Sequence, residues 1–368
     1  MAPDLARAIV CRPPQDGRRQ WKLEDIEVYT PAEGEVLVKI IASGVCHTDL
    51  GCGSFPDGVG FPVPPYPRVL GHEGAGYVTR VGKGVTKVKP GDSVLLSFAY
   101  CGECHNCRNG APGYCAEFTP LNFCGNPKAF GAPNSKESHG IGGSFFGQSS
   151  FSNLTRVQEA SVVRVTDLVK NEDDLKLFAP LGCGIQAARH RGCRTIIGID
   201  RVEARLDLAR SLGATHTINT STVGEGLQKA VRDITDGSGS TITVDATGVV
   251  ALIQQGIEFT ANQGKMILLG VAPMDAALQV ALVSFMVVSE SPSLRLNKSD
   301  RSVKTGKQLL GSMEGGVRPA DYVPRMIQWY RHGDFPIDKL IKYYKVEEFE
   351  QAIHDMEEGT TVKPILLW

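Results

Sequence analysis

Four closely spaced cysteines carry the most informative chemistry in this sequence. Cys101, Cys104, Cys107 and Cys115 form a C-x2-C-x2-C-x7-C pattern in a segment that contains Gly, Asn and Pro. Thiolates at this spacing can converge on one tetrahedral Zn²⁺, and four sulfur ligands leave no open position for a substrate. The pattern therefore predicts a structural zinc site. The alternative, two disulfides or four unrelated thiols, is disfavoured because nothing else in the sequence indicates a secreted protein.

Three further residues, each in its own motif, are candidates for a second metal site. Cys46 lies in CHTD, His72 lies in GHEG, and Cys183 lies in PLGCG. Two thiolates and one imidazole are able to form an open Zn²⁺ site that keeps a position for water or substrate. Taken singly, each cysteine is more often a buried apolar residue and a lone histidine more often a surface residue. The combination is what indicates a metal.

Composition excludes several classes of partner. The 368 residues include 39 basic and 40 acidic side chains, for a net charge of −1, so no electrostatic footprint for nucleic acid or an anionic membrane is present. The N-terminal segment lacks the apolar core of a signal peptide, and the longest apolar run, residues 278–288, is too short to span a bilayer. Ten cysteines without a signal peptide indicate a reducing compartment. We expect a soluble, cytoplasmic protein with a small-molecule substrate and no nucleic-acid or membrane partner.

Local patterns divide the chain into a β-rich part and an alternating part. In the Gly- and Pro-rich N-terminal part, short apolar runs between turn residues predict strands. These runs are residues 35–41, 76–81 and 93–97. From about residue 184, buried-strand patterns at 195–200, 241–245 and 265–270 alternate with helical patterns such as 202–212, which ends at Gly213. This alternation predicts a parallel sheet with helices on both faces, and hence an α/β fold class.

Taken together, the motifs resemble those of the zinc-dependent medium-chain alcohol dehydrogenases. The resemblance spans nearly the whole chain and includes CHTD, GHEGAG, GVTKVKPGD, the cysteine loop, PLGCGI, IGID, the LLGV strand and the C-terminal VKPILLW. Residues 143–151, GSFFGQSSF, resemble the aryl-alcohol (benzyl-alcohol) dehydrogenase branch. The resemblance implies a GroES-like catalytic domain over residues 1–183, a Rossmann-like NAD-binding domain over 184–313, and a return to the catalytic domain over 314–368. It also implies a homodimer or a homotetramer.

The resemblance assigns roles to individual residues. It implies that Cys46, His72 and Cys183 hold a catalytic Zn²⁺, and that Cys101, Cys104, Cys107 and Cys115 hold a structural one. Thr48 would receive the proton of the substrate alcohol and pass it outward. Asp49 and Glu73 would orient the metal ligands, although either acid taken alone is equally typical of a solvated surface. His47 and Lys363 would lie near the cofactor pyrophosphate, and Val271 would contact the cofactor.

The chemistry of alcohol oxidation calls for a redox cofactor. No protein side chain accepts a hydride, so a nicotinamide must do so. Asp200, at the end of a predicted strand, is placed to accept hydrogen bonds from the adenosine ribose hydroxyls, and a carboxylate there repels a 2′-phosphate. This favours NAD over NADP, although Arg201 weakens the preference slightly. Arg205 is a second candidate on the ribose side.

One expected feature of a dinucleotide fold is missing from the sequence. A Gly-rich turn should connect its first strand to its first helix, and no G-x-G-x-x-G occurs in that context. Only residues 184–199 separate Cys183 from Asp200, whereas a helix, a strand, a turn and a second helix need roughly 25–35 residues. We therefore expect a truncated domain that lacks its first strand and Gly-rich loop, by a real deletion or a gene-model error. Its sheet would have a gap with unpaired edges.

The function expected from these features is hydride transfer between NAD and a primary alcohol that is aromatic or ring-bearing. Six aromatic residues are candidates for the wall of an apolar pocket, although any one of them is equally typical of a core. They are Phe55, Phe61, Tyr66, Phe145, Phe146 and Phe151. Gly51 stands where a distal proton-relay histidine is usual, so proton release would run through Thr48 and water. The alternatives are a zinc-binding member of the family without turnover, and a carbonyl reductase working mainly toward the alcohol.

Overall fold

The computed structural model describes residues 2–56, 62–133, 140–180, 184–273, 275–280, 285 and 306–368. The chain divides into two compact units, one formed by Met1–Cys183 with Glu314–Trp368 and the other by Gly184–Met313. Within the described ranges, no helix is both long enough and apolar enough to cross a membrane.

Strands dominate the first unit, and strands and helices alternate in the second. The strands are β1 (Asp4–Gln15), β2 (Arg18–Val28), β3 (Glu35–Gly44), β4 (Arg68–Val69), β5 (Gly74–Val81), β6 (Ser93–Leu96), β7 (Asn126–Gly131), β8 (Ile141–Gly143), β9 (Leu154–Gln158), β10 (Val162–Arg164), β11 (Ile197–Asp200), β12 (His216–Asn219), β13 (Ser240–Asp245), β14 (Thr260–Leu268), β15 (Gln308–Gly311), β16 (Ile341–Lys345) and β17 (Lys363–Leu367). The helices are α1 (His47–Cys52), α2 (His105–Arg108), α3 (Glu172–Leu177), α4 (Gly184–His190), α5 (Glu203–Leu212), α6 (Thr220–Val223), α7 (Leu227–Ile234), α8 (Val250–Phe259), α9 (Pro319–Arg331) and α10 (Phe349–Glu357).

The first unit contains a closed barrel and a larger sheet. The barrel has the strand order β1-β2-β7-β8-β4, and the sheet has the order β10-β6-β5-β3-β17-β16, with β9 also paired to β3. Strand β3 is the centre of this sheet because its β-branched residues alternate towards a buried cluster. Val36, Val38 and Ile40 pack there with Val94 and Val157. The carboxyl end of β3 leads directly to Cys46, in one of the metal-binding segments described below.

The second unit contains two separate parallel sheets in its described residues. One pairs β11 with β12, and the other has the order β13-β14-β15. Helix α5 ends where the sequence predicts, at Gly213 with a φ of 116°, and a Cβ there would lie 2.6 Å from the Cδ of Arg189. Among the described residues of this unit, no strand joins the two sheets. The expected mixed α/β architecture is present.

Candidate metal centres

The four-cysteine loop brings its sulfurs together around one point. The Sγ atoms of Cys101, Cys104, Cys107 and Cys115 all lie within 4.8 Å of one another. The separation is 3.9 Å for Cys101–Cys107, 4.0 Å for Cys104–Cys115 and 3.5 Å for Cys101–Cys115. A tetrahedral zinc with Zn–S bonds of about 2.3 Å requires sulfur–sulfur edges of about 3.8 Å. The cluster therefore fits a zinc ion, and these separations are far longer than a disulfide bond.

Backbone N–H groups donate to sulfur atoms of this cluster and stabilise one of its thiolates. The N–H of Cys104 donates to the sulfur of Cys101 at 3.4 Å, and the N–H of Ala116 donates to the sulfur of Cys104 at 3.5 Å. Donation from the N–H groups of Ala116 and Cys107 lowers the pKa of the Cys104 thiol to about 6. Burial raises the pKa of Cys107 to about 12. Cys104 is thus ready as a thiolate at neutral pH, whereas Cys107 needs the charge of a metal to lose its proton.

The C-terminal part of the first unit braces the cysteine loop, which the sequence did not reveal. Arg318, directly before α9, donates from Nη2 to the carbonyl oxygen of Cys107 at 3.2 Å. Gly316 approaches the ring of Tyr114 so closely that a Cβ would lie 2.9 Å from Cε2. No local signal identifies Arg318, because its partner is a backbone carbonyl far away in sequence.

A second cluster gathers two of the three residues predicted for the open metal site. Ligand atoms of Cys46, His72 and Glu73 all lie within 4.8 Å of one another. Cys46 is the residue before α1, and its Sγ lies 3.7 Å from Oγ1 of Thr48. The third predicted ligand, Cys183, lies outside the described residues. The donor atoms of Cys46 and His72 suit zinc and leave room for further ligands.

Asp49 connects the two ligand segments of this cluster. Its fully buried carboxylate accepts from the N–H of Cys46 at 3.0 Å through Oδ2, and from the N–H of Gly71 at 3.0 Å through Oδ1. Oδ1 also lies 3.0 Å from Nδ1 of His72. Because a carboxylate can only accept, Nδ1 carries the proton and Nε2 is left for the metal. Asp49 is thus not a solvated surface acid.

Charge around the cluster favours the thiolate form of Cys46. Burial by itself would lower the pKa of His72, but the charge and hydrogen bond of Asp49 raise that pKa well above its ordinary value. Burial by itself would raise the pKa of Cys46, but the hydrogen bond and charge of His72 lower it below its ordinary value. The thiolate required of a metal ligand is therefore already favoured by the protein.

Glu73 and Lys363 form an ion pair beside the cluster. Nζ of Lys363 lies 2.7 Å from Oε1 and 3.0 Å from Oε2 of Glu73, and it also donates to the carbonyl oxygen of Val45 at 3.4 Å. Burial lowers the pKa of Lys363, but Glu73 and Cys46 raise it by more. Gly44 leaves room for the Glu73 side chain, because a Cβ at position 44 would lie 2.0 Å from Oε2 of Glu73. Lys363 is thus engaged by Glu73; whether it also contacts a cofactor stays a prediction.

The residues predicted to contact the cofactor fall into both units. In the first unit, His47 is exposed at the start of α1 and Thr48 is half-buried. In the second unit, Asp200 ends β11, and its Oδ1 accepts from the N–H of Arg201 at 2.7 Å and from that of Val202 at 2.9 Å. Nη1 of Arg205 lies 4.0 Å from its Oδ2. Val271 follows β14 and is exposed.

The aromatic residues predicted to wall a pocket separate into two groups. Phe146 stacks on the His72 ring at 4.7 Å between centroids, and Phe145 meets that ring edge-on at 5.7 Å. Phe145, Phe146 and Phe151 are all buried in one core cluster, and Phe151 also contacts Gly71 and Trp21.

In the loop after α1, the Tyr66 hydroxyl donates to the carbonyl oxygen of Phe55 at 2.9 Å. The Arg68 guanidinium lies 3.3 Å from the centre of the Tyr66 ring. Tyr66 therefore holds the backbone of this loop, and Phe61 lies outside the described residues.

Gln148 is a residue of this site that sequence reasoning missed. It is fully buried and hydrogen-bonds the backbone on both sides of Glu73, at the carbonyl oxygen of His72 and the N–H of Gly74. The only signal was its position inside the GSFFGQSSF segment at 143–151, two residues after Phe146.

Two family models match most of the chain. The model described as alcohol dehydrogenase GroES-like domain matches residues 32–167, and the model described as zinc-binding dehydrogenase matches residues 182–330. The chain is 34% identical to a geraniol dehydrogenase of Castellaniella defragrans, over 94% of each protein. That alignment runs over 379 residues, more than the 368 of this chain, so it contains positions that have no counterpart here.

Solved structures show the same architecture. The benzyl alcohol dehydrogenase of Acinetobacter calcoaceticus is 33% identical, with a TM-score of 0.81. An alcohol dehydrogenase zinc-binding domain protein of Burkholderia ambifaria is 32% identical, with a TM-score of 0.84. Each comparison covers 99% of both chains. Together with the two family models, they confirm the predicted combination of a GroES-like and a Rossmann-like domain.

Proposed function

The chain belongs to the zinc-dependent medium-chain alcohol dehydrogenases, a family of oxidoreductases, and we propose that it interconverts a primary alcohol and its aldehyde by hydride transfer with NAD. The observation that carries this proposal is the convergence of Cys46 and His72, with Asp49 holding both. The closed four-cysteine cluster supports a second, structural zinc, which gives two zinc ions per chain.

Each residue of the open site has a definable task in this proposal. Cys46, His72 and Cys183 would hold Zn²⁺, which when bound supplies Lewis acidity that lowers the pKa of an alcohol. Asp49 keeps the His72 imidazole in one tautomer and orientation, as conserved carboxylate partners of metal-binding histidines do. Thr48, beside the Cys46 sulfur, receives the hydroxyl proton of the substrate and passes it to water, since Gly51 has no side chain to relay it.

The surroundings of His72 favour an aromatic or ring-bearing substrate. Phe145 and Phe146 pack directly on its imidazole, so an apolar surface adjoins the predicted metal. Burial of a larger apolar group supplies more binding free energy in such surroundings. The relative named for benzyl alcohol supports this substrate class. Geraniol is a primary alcohol without a ring, so the relative named for it supports only a primary alcohol with a large apolar group.

NAD is the proposed cofactor, and NADP is less favoured. Asp200, at the carboxyl end of a parallel strand, provides the acceptor that a ribose diol needs, with Arg205 and Val271 as further contacts. His47 and Lys363 are proposed at the pyrophosphate. A homodimer or homotetramer in the cytoplasm completes the proposal, as the family resemblance implies.

The alternative is a zinc-binding member of the family that does not turn over. Two observations favour it, namely the separation of the second unit into two sheets within its described residues and the excess length of the alignment with the geraniol dehydrogenase. Both are as expected if the first strand and its phosphate-binding turn are missing. Under this alternative, the metal sites would form without a functional nucleotide site.

Steady-state kinetics at saturating NAD tests the proposal. We expect kcat/KM for benzyl alcohol to exceed that for ethanol by at least about tenfold, since several extra carbon atoms are buried. Equal values for the two alcohols would refute the proposed substrate class. Zinc-loaded protein that reduces no NAD with either alcohol would establish the alternative.

A further inference from the structure

A single buried amide holds the backbone directly after His72. Nε2 of Gln148 donates to the carbonyl oxygen of His72 at 2.8 Å and to that of Ser97 at 3.3 Å. Its Oε1 accepts from the N–H of Gly74 at 3.1 Å. Glu73 therefore lies between two peptide groups that are fixed by the same side chain, and the first of these groups begins at the carbonyl of His72.

The chemistry of these contacts admits only an amide of this length. The carbonyl oxygen of His72 can only accept and the N–H of Gly74 can only donate, so the partner must donate at one end and accept at the other. A glutamate would lose both donated bonds, a methionine would lose all three, and an asparagine is one methylene shorter. The same two backbone groups also fix which end of the Gln148 amide carries the nitrogen.

Gln148 is itself held in place. Its N–H donates to the carbonyl oxygen of Phe145 at 3.0 Å, and its carbonyl oxygen accepts from Oγ1 of Thr155 at 2.5 Å. The neighbouring Phe146 and Ser149 have φ values of 49° and 51°, which are unfavourable for side chains other than glycine. Such conformations cost about 1–3 kcal/mol each and persist only where the surroundings fix them. The segment is thus a rigid support for Gln148.

We propose that Gln148 is a positioning residue of the open metal site, and this inference rests on the proposed function. By fixing the peptide groups on either side of Glu73, it orients Glu73 towards Lys363 and, through the carbonyl of His72, the adjoining imidazole towards the metal. It acts at the backbone, whereas Asp49 acts at the imidazole itself. The closed four-cysteine site, which Gln148 does not contact, should be indifferent to it.

Zinc release from Gln148→Met tests this inference. Methionine keeps the length and shape of the side chain and removes its hydrogen bonds. We expect one zinc to leave about 10–100-fold faster than in the wild type, judged by transfer to a chromogenic chelator, while the second is unaffected. Cobalt in the open site should show an altered d–d absorption spectrum. Gln158→Met is the matched control, because Gln158 is exposed at the end of β9, and it should behave as the wild type.

Three results distinguish failure of the Gln148 inference from failure of the proposed function. Wild-type release rates and cobalt spectra in folded Gln148→Met would overturn the inference. If that variant does not fold, Gln148→Glu, which retains the acceptor for Gly74, should show the same selective release; unchanged release from it would also overturn the inference. A wild-type protein that binds zinc only at the closed site would refute the proposed function, a different failure from that of the Gln148 inference.

Discussion

Asp49 is the residue on which the open metal site most depends. Three N–H donors converge on its two oxygens, from Cys46, Gly71 and His72. An asparagine would present an NH2 group to at least one of these donors, and the buried site has no water-exposed alternative for the group left without a partner.

We therefore expect Asp49→Asn to weaken zinc binding at the open site by about 10–100-fold, as loss of a carboxylate partner of a metal-binding histidine does. Competition with a chelator of known affinity measures this. Asp25→Asn is the control, because Asp25 is exposed on β2. Equal zinc affinity in the two variants would show that Asp49 does not orient the ligands.

At the scale of residues, metal sites could be predicted from the sequence because they depend on residue type. Interactions with backbone groups could not. Cysteine and histidine at short spacing indicate metal whatever the fold, and the structure brings the described members of both sets together. Gln148 was missed because its partners are peptide groups of His72 and Gly74, which no residue type reveals. Phe145, Phe146 and Phe151, for which a pocket wall and a core were both open, are all buried in one core cluster.

Among the elements, helix α3 is joined to helix α9 by an ion pair within the first unit. Nη1 of Arg331 lies 3.1 Å from Oδ1 of Asp174, and its Nη2 also pairs with Oδ2. The Arg331 guanidinium also lies 5.5 Å from the centre of the Phe178 ring. Its hydrogen bonds hold the pKa of the Asp174 carboxyl below its ordinary value.

Asp174→Asn should therefore lower the free energy of unfolding by about 2 kcal/mol at neutral pH. A lowered pKa in the folded state means that this contribution is complete above the ordinary aspartate pKa of about 4, and is lost as the pH falls through the lower folded value. Urea unfolding between pH 7 and pH 3 measures the difference. A difference that is unchanged or larger at pH 3 would contradict the assignment to this ion pair.

Element boundaries show where sequence patterns stop being sufficient. The apolar run at 35–41 correctly indicated β3, but the strand extends to Gly44. Its last residues pair with β17, in the register Ile365↔Gly44 and Leu367↔Ala42. Because β17 lies near the opposite end of the chain, the local residue pattern around β3 does not reveal this pairing. The extension of β3 could therefore not be predicted.

At the scale of the whole molecule, the described residues of the second unit form two separate parallel sheets, as expected if the first strand of a dinucleotide fold is missing. Strand β11 pairs with β12, and strand β13 pairs with β14. Within the described residues, β11 and β13 each lack a second neighbouring strand. Ile242 and Val244 on β13 are 56% and 47% exposed. Apolar side chains beside an unpaired strand edge promote association between molecules. We therefore expect low solubility of the 368-residue form.

The expected absence of the first strand and its Gly-rich turn predicts weak cofactor binding. A Gly-rich turn and the following helix N-terminus normally offer the pyrophosphate several N–H donors and a favourable dipole. Lys363 is already paired with Glu73, so it replaces only part of this. We expect a dissociation constant for NAD above about 1 mM by calorimetry. A chain with the strand and turn restored after Gly184 should bind more tightly. Micromolar affinity in the 368-residue form would mean that another segment supplies the phosphate site.

Elemental analysis of the purified protein tests the existence of two distinct zinc sites most directly. We predict two zinc ions per chain in the wild type and one in Cys46→Ser, with little change in thermal stability. Cys104→Ser should also lose one zinc but unfold at a lower temperature, because a closed four-sulfur site contributes to folding. One zinc or none in the wild type, or two retained in Cys46→Ser, would contradict the account.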